Sequence, residues 1–199
     1  MDKEKELVAF HSVFGREHSY EVIAHEKPDF LVMDNSKVRL GVEVTEIYNQ
    51  GTDAKLKNLN GYSLGLIDGT MNIHKRDKEH IKVEEATLID QDGKEKAKFM
   101  GIFQEMPSFK DKVIILENAI AKKENKINSY YGSCNVVDLI IVDSSNLFFH
   151  ENFEEFYRPF SILYQKDMLM NSLFREVYLV TTRKENERVF LPLRGNMFL

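Results

Sequence analysis

Apolar side chains recur along this chain at two periods, and the switches between them mark out its elements. In residues 3–14, Leu7, Phe10, Val13 and Phe14 fall three and four apart, which predicts an amphipathic helix stopped by Gly15. Residues 20–24 (YEVIA) read as a short strand, with Lys27-Pro28 as a corner before the next. Residues 29–34, a turn at Asn35-Ser36-Lys37, and residues 38–47 with Val38, Leu40, Val42 and Val44 alternating predict a β-hairpin. Residues 48–110 are less regular and read as an insertion. Gly61, Gly65 and Gly69 bracket GYSLGLIDG, a polar stretch follows, and a second hairpin spans 84–103 with its turn at Asp92-Gly93. The strongest helical pattern covers 110–131, with Asp111 near its start and Gly132 past its end. A buried strand at 135–143, a helical pattern at 150–173 that Pro159 could break, and a last strand at 176–181 follow, then a tail. That order predicts a single mixed α/β domain over 1–199, with an insertion at about 48–110.

Composition narrows the class. A chain of 199 residues with 43% hydrophobic and 30% charged side chains can bury a core without a disulfide or metal staple. Its one cysteine, Cys134, reads as a reduced, buried thiol. No apolar run approaches the ~20 residues of a membrane span, and the charged start MDKEKELVAF lacks a signal-peptide pattern. A cytoplasmic protein with no membrane partner is therefore expected. The net charge of −5 argues against a general basic coat for nucleic acid. Its distribution changes that picture: residues 1–46 hold 10 acidic and 6 basic side chains, so most of the excess lies in the first quarter.

Two of those carboxylates fall on the first hairpin. With a three-residue loop at 35–37, cross-strand partners sum to 72 and Asp29 stands opposite Glu43; a two-residue loop shifts the register by one. In the first register Phe30, Val32, Leu40, Val42 and Val44 share one face, and Asp29, Glu43 and Thr45 share the other. Facing carboxylates repel, and Glu43 sits inside an otherwise aliphatic strand, where an unpaired charge is costly. A hard divalent cation between them would turn that repulsion into binding. The plainer alternative makes Asp29 a turn residue and Glu43 a surface strand residue.

The string KPDFLVMDNSKVRLGVEVTEIY resembles the core of the PD-(D/E)XK nuclease superfamily, through Pro28-Asp29, an aliphatic strand, a turn, then Glu43-Val44-Thr45. The helix before it, the long helix after it and the next strand fit the same core, so the resemblance covers roughly 1–47 and 110–143. It implies a restriction-endonuclease-like α/β core of helix, β-hairpin in a mixed sheet, helix and strand, and a nuclease hydrolysing phosphodiester bonds, with DNA the expected partner. It also implies Mg2+ (or Mn2+) held by Asp29, Glu43 and the Val44 carbonyl, with Glu6 or Glu4 matching the acidic residue some members carry in the first helix. The family motif ends in lysine, where this chain has Thr45. Some members supply that lysine from the neighbouring helix; here Lys122 and Lys126 share a helical stripe with Ile115, Ala119 and Tyr130. A member of this fold that binds nucleic acid or protein without catalysis is the alternative.

Other features carry less. The stretch from His74 to Lys82 (HKRDKEHIK) offers Lys75, Arg76, Lys78 and Lys82 as phosphate-backbone contacts, or is simply a solvated loop. The His74/His80 spacing does not match a helical metal pair, and the three glycines match neither a P-loop nor a dinucleotide fingerprint. The aromatic run Phe148-Phe149, Phe153, Phe156-Tyr157 and Phe160 reads as core packing at helix spacing, with a homodimer face as the alternative.

Overall fold

The computed structural model describes residues 1–16, 20–49, 51–148, 153–182 and 188–194, excepting the side chains of 153–156, 182, 188 and 189. Two units make up the chain: Met1–Ile47 with Ser108–Leu199, and Tyr48–Pro107.

In the first unit, Asp2 caps α1 (Lys3–Phe14) by accepting a hydrogen bond from the Lys5 N–H at 2.9 Å, and Gly15 ends the helix at φ 78°. The expected stripe holds at Phe10, Val13 and Phe14, which pack on the sheet, but not at Leu7. Leu7 is 38% exposed, while Glu6, Ala9 and Phe10 turn inward. The rotation is small, but it carries an acidic residue into the interior.

β1 (Glu21–Ala24), β2 (Phe30–Asp34) and β3 (Lys37–Ile47) pair antiparallel in series. The turn between β2 and β3 has two central residues, Asn35 and Ser36, both at positive φ, the combination that suits a right-twisted hairpin. A three-residue loop was expected. The sum-72 register nevertheless holds at Phe30–Val42, Leu31–Gly41 and Val32–Leu40, because a bulge between Val32 and Met33 supplies the missing step.

α4 (Phe109–Glu124) begins with a capping box between Ser108 and Asp111, and crosses back to β6 (Val137–Asp143), which lies parallel to β3. α4 is shorter than the expected 110–131. The helical path gives way at Asn125 to a 3-10 turn at Ile127–Ser129, where the Ser129 hydroxyl competes for the backbone by donating to the Lys126 carbonyl at 2.6 Å. α5 (Phe153–Gln165) contains Pro159 without being broken by it, and stops well before 173; Asp167 then takes a left-handed conformation. β7 (Val177–Thr182) pairs parallel with β6, and β8 (Arg188–Pro192), unforeseen within the tail, pairs antiparallel with β7. The sheet order is therefore β1-β2-β3-β6-β7-β8, a mixed sheet in an α/β unit.

Alternation along the central strands sends successive residues to two cores. Phe30, Val32, Leu40, Val42, Val44, Ile140 and Val180 pack against Ala9 and Phe10 of α1, which is the apolar face the two-residue period predicted. The opposite face is not solvated: Leu31, Leu139, Ile141 and Leu179 pack against Val113, Leu116 and Ile120 of α4 and Phe160 and Leu163 of α5. Glu43, between Val42 and Val44, therefore points into the α4 side. Asp138 and Asp143 are buried at the two ends of β6. Arg175 grips Asp138 with bonds of 2.8 and 2.5 Å, and Asp143 accepts from the Leu147 and Phe148 N–H groups at 2.9 and 2.8 Å.

The second unit contains α2 (Gly51–Asn58), α3 (Tyr62–Ile67) and a two-stranded sheet of β4 (Ile81–Ile89) and β5 (Glu95–Gln104), around a small core of Tyr62, Leu66 and Ile81. The β4–β5 hairpin matches the second expected hairpin, with Gly93 at φ 79° in its turn; the two helices had no clear periodic signal. Among the described residues no helix is long and apolar enough to cross a membrane. Phe149 of the expected aromatic run, and the side chains of Phe153 and Phe156, lie outside what is described; Phe148 and Phe160 are core residues.

Candidate functional site

Asp29 immediately precedes β2, where the strand pairing ends at Phe30–Val42, and its carboxylate reaches β3 beside Glu43, whose carboxyl feels its charge. Both are buried, at 9% and 6% exposure. Asp29 is locked from two directions: Oδ2 accepts from the Val44 N–H at 2.8 Å, and Oδ1 accepts from Lys3 Nζ at 3.0 Å. Such charge-assisted bonds fix the carboxylate's orientation before any ligand arrives.

The charge on Glu43 is met by a lysine that periodicity did not single out. Lys123 Nζ donates to Glu43 Oε1 at 2.5 Å and to the Val44 carbonyl at 3.3 Å. Lys122 and Lys126, by contrast, are both exposed. Lys122 sits one residue off the inward face of α4, and Lys126 lies beyond the end of the helix, in the lining of the cleft beside Glu43. A signal for Lys123 was present: Val113, Leu116 and Ile120 are fully inward, and the same three-and-four spacing continues through 123 to the buried Ile127. The partly buried stripe of Ile115 and Ala119 pointed one position away from it.

Burial pushes the Glu43 carboxyl up from its ordinary value of 4.5; the Lys123 bond opposes that shift and the Asp29 charge adds to it. Tyr130, 1% exposed, faces the same carboxylate, and burial followed by the Glu43 charge drives its hydroxyl well above the usual tyrosine range. Glu43 Oε2 and the Tyr130 hydroxyl are both buried without a hydrogen bond of good geometry.

Glu6 reaches Asp29 through a shared cation. Lys3 Nζ lies 2.8 Å from Glu6 Oε2, and also donates to the His25 carbonyl at 2.9 Å. Burial works against the Lys3 ammonium, yet the bonds to Glu6 and Asp29 hold its pKa above the ordinary lysine value. Glu4 is exposed. Thr45 is half-buried, two residues along β3 on the Glu43 side. An open cleft of about 620 Å³ reaches Glu43 and Tyr130, and is lined also by Glu26, Lys27, Asn125, Lys126 and Ser129.

The donor set of Asp29, Glu43 and the Val44 carbonyl is all oxygen, the chemistry a hard divalent ion prefers, and the orphaned Oε2 of Glu43 leaves coordination capacity unused. As the side chains stand, with two ammonium groups among them, no three His, Cys, Asp or Glu residues among those described form a ready metal cluster.

Lys75, Arg76, Lys78 and Lys82 are all exposed, in the second unit. Lys82 lies in β4, and the loop that carries the other three is pinned from within by Asp77, 2% exposed, which accepts from Thr52 Oγ1 at 2.8 Å and from Lys55 Nζ at 2.8 and 2.9 Å. Cys134 is buried and free, as expected. Comparison with protein-family models, with curated proteins and with solved structures found no match.

Proposed function

We propose that the chain is a divalent-metal-dependent nuclease of the PD-(D/E)XK type, hydrolysing phosphodiester bonds in DNA, within a restriction-endonuclease-like core. The observation that carries this reading is the contact of Lys123 with both Glu43 and the Val44 carbonyl, which joins a lysine to the Asp29/Glu43 pair although position 45 is threonine. Asp29, Glu43 and the Val44 carbonyl would hold Mg2+ or Mn2+, which when bound polarises the scissile phosphate and lowers the pKa of an attacking water.

The protein's own groups do the rest. The Val44 N–H fixes Asp29, so that its carboxylate is oriented without reorganisation. Lys123, held at Glu43, can donate to a water or to a phosphate oxygen there, the part that Thr45, with a neutral hydroxyl, cannot play. Lys27 and Lys126 bring cationic side chains to the cleft next to Glu43, set against the Glu26 carboxylate, and are the groups there that could meet flanking phosphates.

One observation favours a second reading, a binding module without catalysis: Lys3 and Lys123 already neutralise Asp29 and Glu43 from within. Cleavage assays on plasmid and single-stranded DNA in Mg2+ and in Mn2+ separate the two. Cleavage is expected, lost in Asp29→Ala and reduced at least about 100-fold in Lys123→Met, the scale of one lost acid, base or electrostatic partner. DNA binding without cleavage in either metal overturns the enzyme and leaves the module.

A further inference from the structure

The Lys3 ammonium sits in a cage of oxygens. Glu6 Oε2 lies at 2.8 Å, the His25 carbonyl at 2.9 Å, Asp29 Oδ1 at 3.0 Å and the Asp29 carbonyl at 3.5 Å. Three of these oxygens lie within 3.0 Å, one for each N–H donor of the ammonium, with the Asp29 carbonyl at the rim. Glu6 Oε2 is the oxygen left without a hydrogen bond of good geometry, although it is buried and closest to the nitrogen. Two carboxylates and two carbonyls, all hard donors, are what a divalent cation takes as ligands. The Lys3 side chain is itself half exposed, and it springs from the first turn of α1, so it can swing into water without disturbing the core.

We infer that Lys3 is a tethered cation occupying an oxygen cage formed by Glu6, Asp29 and the His25 carbonyl, and that a divalent ion binding at Asp29 must compete with it.

Charge balance favours exchange over addition. Glu6, Asp29 and Glu43 carry three negative charges, and Lys3 and Lys123 return two. A divalent ion that binds at Asp29 and displaces Lys3 leaves the cluster neutral, whereas one added beside both lysines leaves it positive and repels the ion it must hold. The exchange also links the state of the amino-terminal helix to the state of the site. With Lys3 inward, α1 is tied to the 25–29 loop; with Lys3 displaced, that tie is released. The inference rests on the metal-dependent reading above, and goes beyond it by naming what the ion displaces.

Mn2+ is a suitable probe, since the free aqueous ion is counted directly by electron paramagnetic resonance and binding also raises the melting temperature. The full chain is titrated as wild type, Lys3→Met, Lys3→Arg and Asp29→Asn, each first checked for native circular dichroism. Lys3→Met should bind Mn2+ about tenfold more tightly than wild type, within the usual range of coupling between competing ligands. Lys3→Arg, which keeps a cation in the cage, should stay near wild type, and Asp29→Asn should lose binding. Binding that Asp29→Asn abolishes but Lys3→Met leaves unchanged or weaker overturns the competition and leaves the metal site standing. Absence of Mn2+ binding in wild type and Lys3→Met alike overturns both.

Discussion

Replacing Lys123 by Met gives the most direct test of the architecture around Glu43, because methionine keeps most of the buried stem and removes only the charge. Glu43 is then a carboxylate at 6% exposure whose cationic partner, formerly 2.5 Å away, is gone. Breaking a buried pair from one side typically costs about 3–5 kcal/mol. Protonation sets a ceiling on that cost. Taking a group of ordinary pKa 4.5 to its neutral form at pH 7 requires roughly 3.4 kcal/mol, at about 1.36 kcal/mol per unit of pH. The expected loss is therefore about 3 kcal/mol at pH 7, and the ceiling falls to under about 1 kcal/mol at pH 5.

The sign follows from linkage. The folded-state pKa of Glu43 is already raised, and loses its largest opposing influence in the variant, so the folded variant binds the more protons. Its deficit relative to wild type is small near and below 4.5, grows as pH rises, and levels off above the variant's own raised value. Urea denaturation followed by circular dichroism at pH 5, 6, 7 and 8 reads the difference. Lys123→Met/Glu43→Gln should recover most of the stability at pH 7. A deficit that does not change with pH, or a double variant as unstable as the single one, would refute the account of Glu43 as a buried, lysine-neutralised carboxylate.

Two further predictions concern what holds the site in register. A Cβ at Gly41 would lie 2.5 Å from both Cys134 Sγ and Pro28 Cγ, so Gly41→Ala should cost about 1–3 kcal/mol in urea denaturation, and Cys134→Ala in the same chain should recover only part, since the Pro28 contact remains. Arg175→Met strands the fully buried Asp138 and should cost about 3 kcal/mol at pH 7, diminishing in acid as Asp138 takes a proton; a variant as stable as wild type would show that the pair is not what neutralises Asp138.

Local pattern carried far along the first hairpin. The alternation of Phe30, Val32, Leu40, Val42 and Val44 appears unaltered as the face packed on α1, because a period of two leaves a strand only one way to bury its apolar set. The turn takes the two-residue alternative, and the bulge at Val32/Met33 restores the register expected of the three-residue one; such compensation is invisible to spacing arithmetic. Helix faces fared less well. On α1 the inward face keeps Phe10, Val13 and Phe14 but takes Glu6 and Ala9 in place of Leu7, and on α4 it follows Leu116 and Ile120 and not Ile115 and Ala119, which brings in Lys123. One residue turns a helix by about 100°, so a half-apolar surface leaves its inward direction underdetermined until it meets its sheet.

By itself, then, the sequence determined the alternating strands, the mixed α/β order and the pairing of Asp29 with Glu43 across one hairpin, since each follows from local periodicity and a short turn. Only the tertiary structure decided which cations meet those carboxylates. Lys3 reaches Asp29 across 26 residues and Lys123 reaches Glu43 across 80, and no local period encodes such a meeting. It is set by the packing of Phe10 on one face of the sheet and of Leu116 and Ile120 on the other, which holds the start of α1 and the end of α4 against the same two acids.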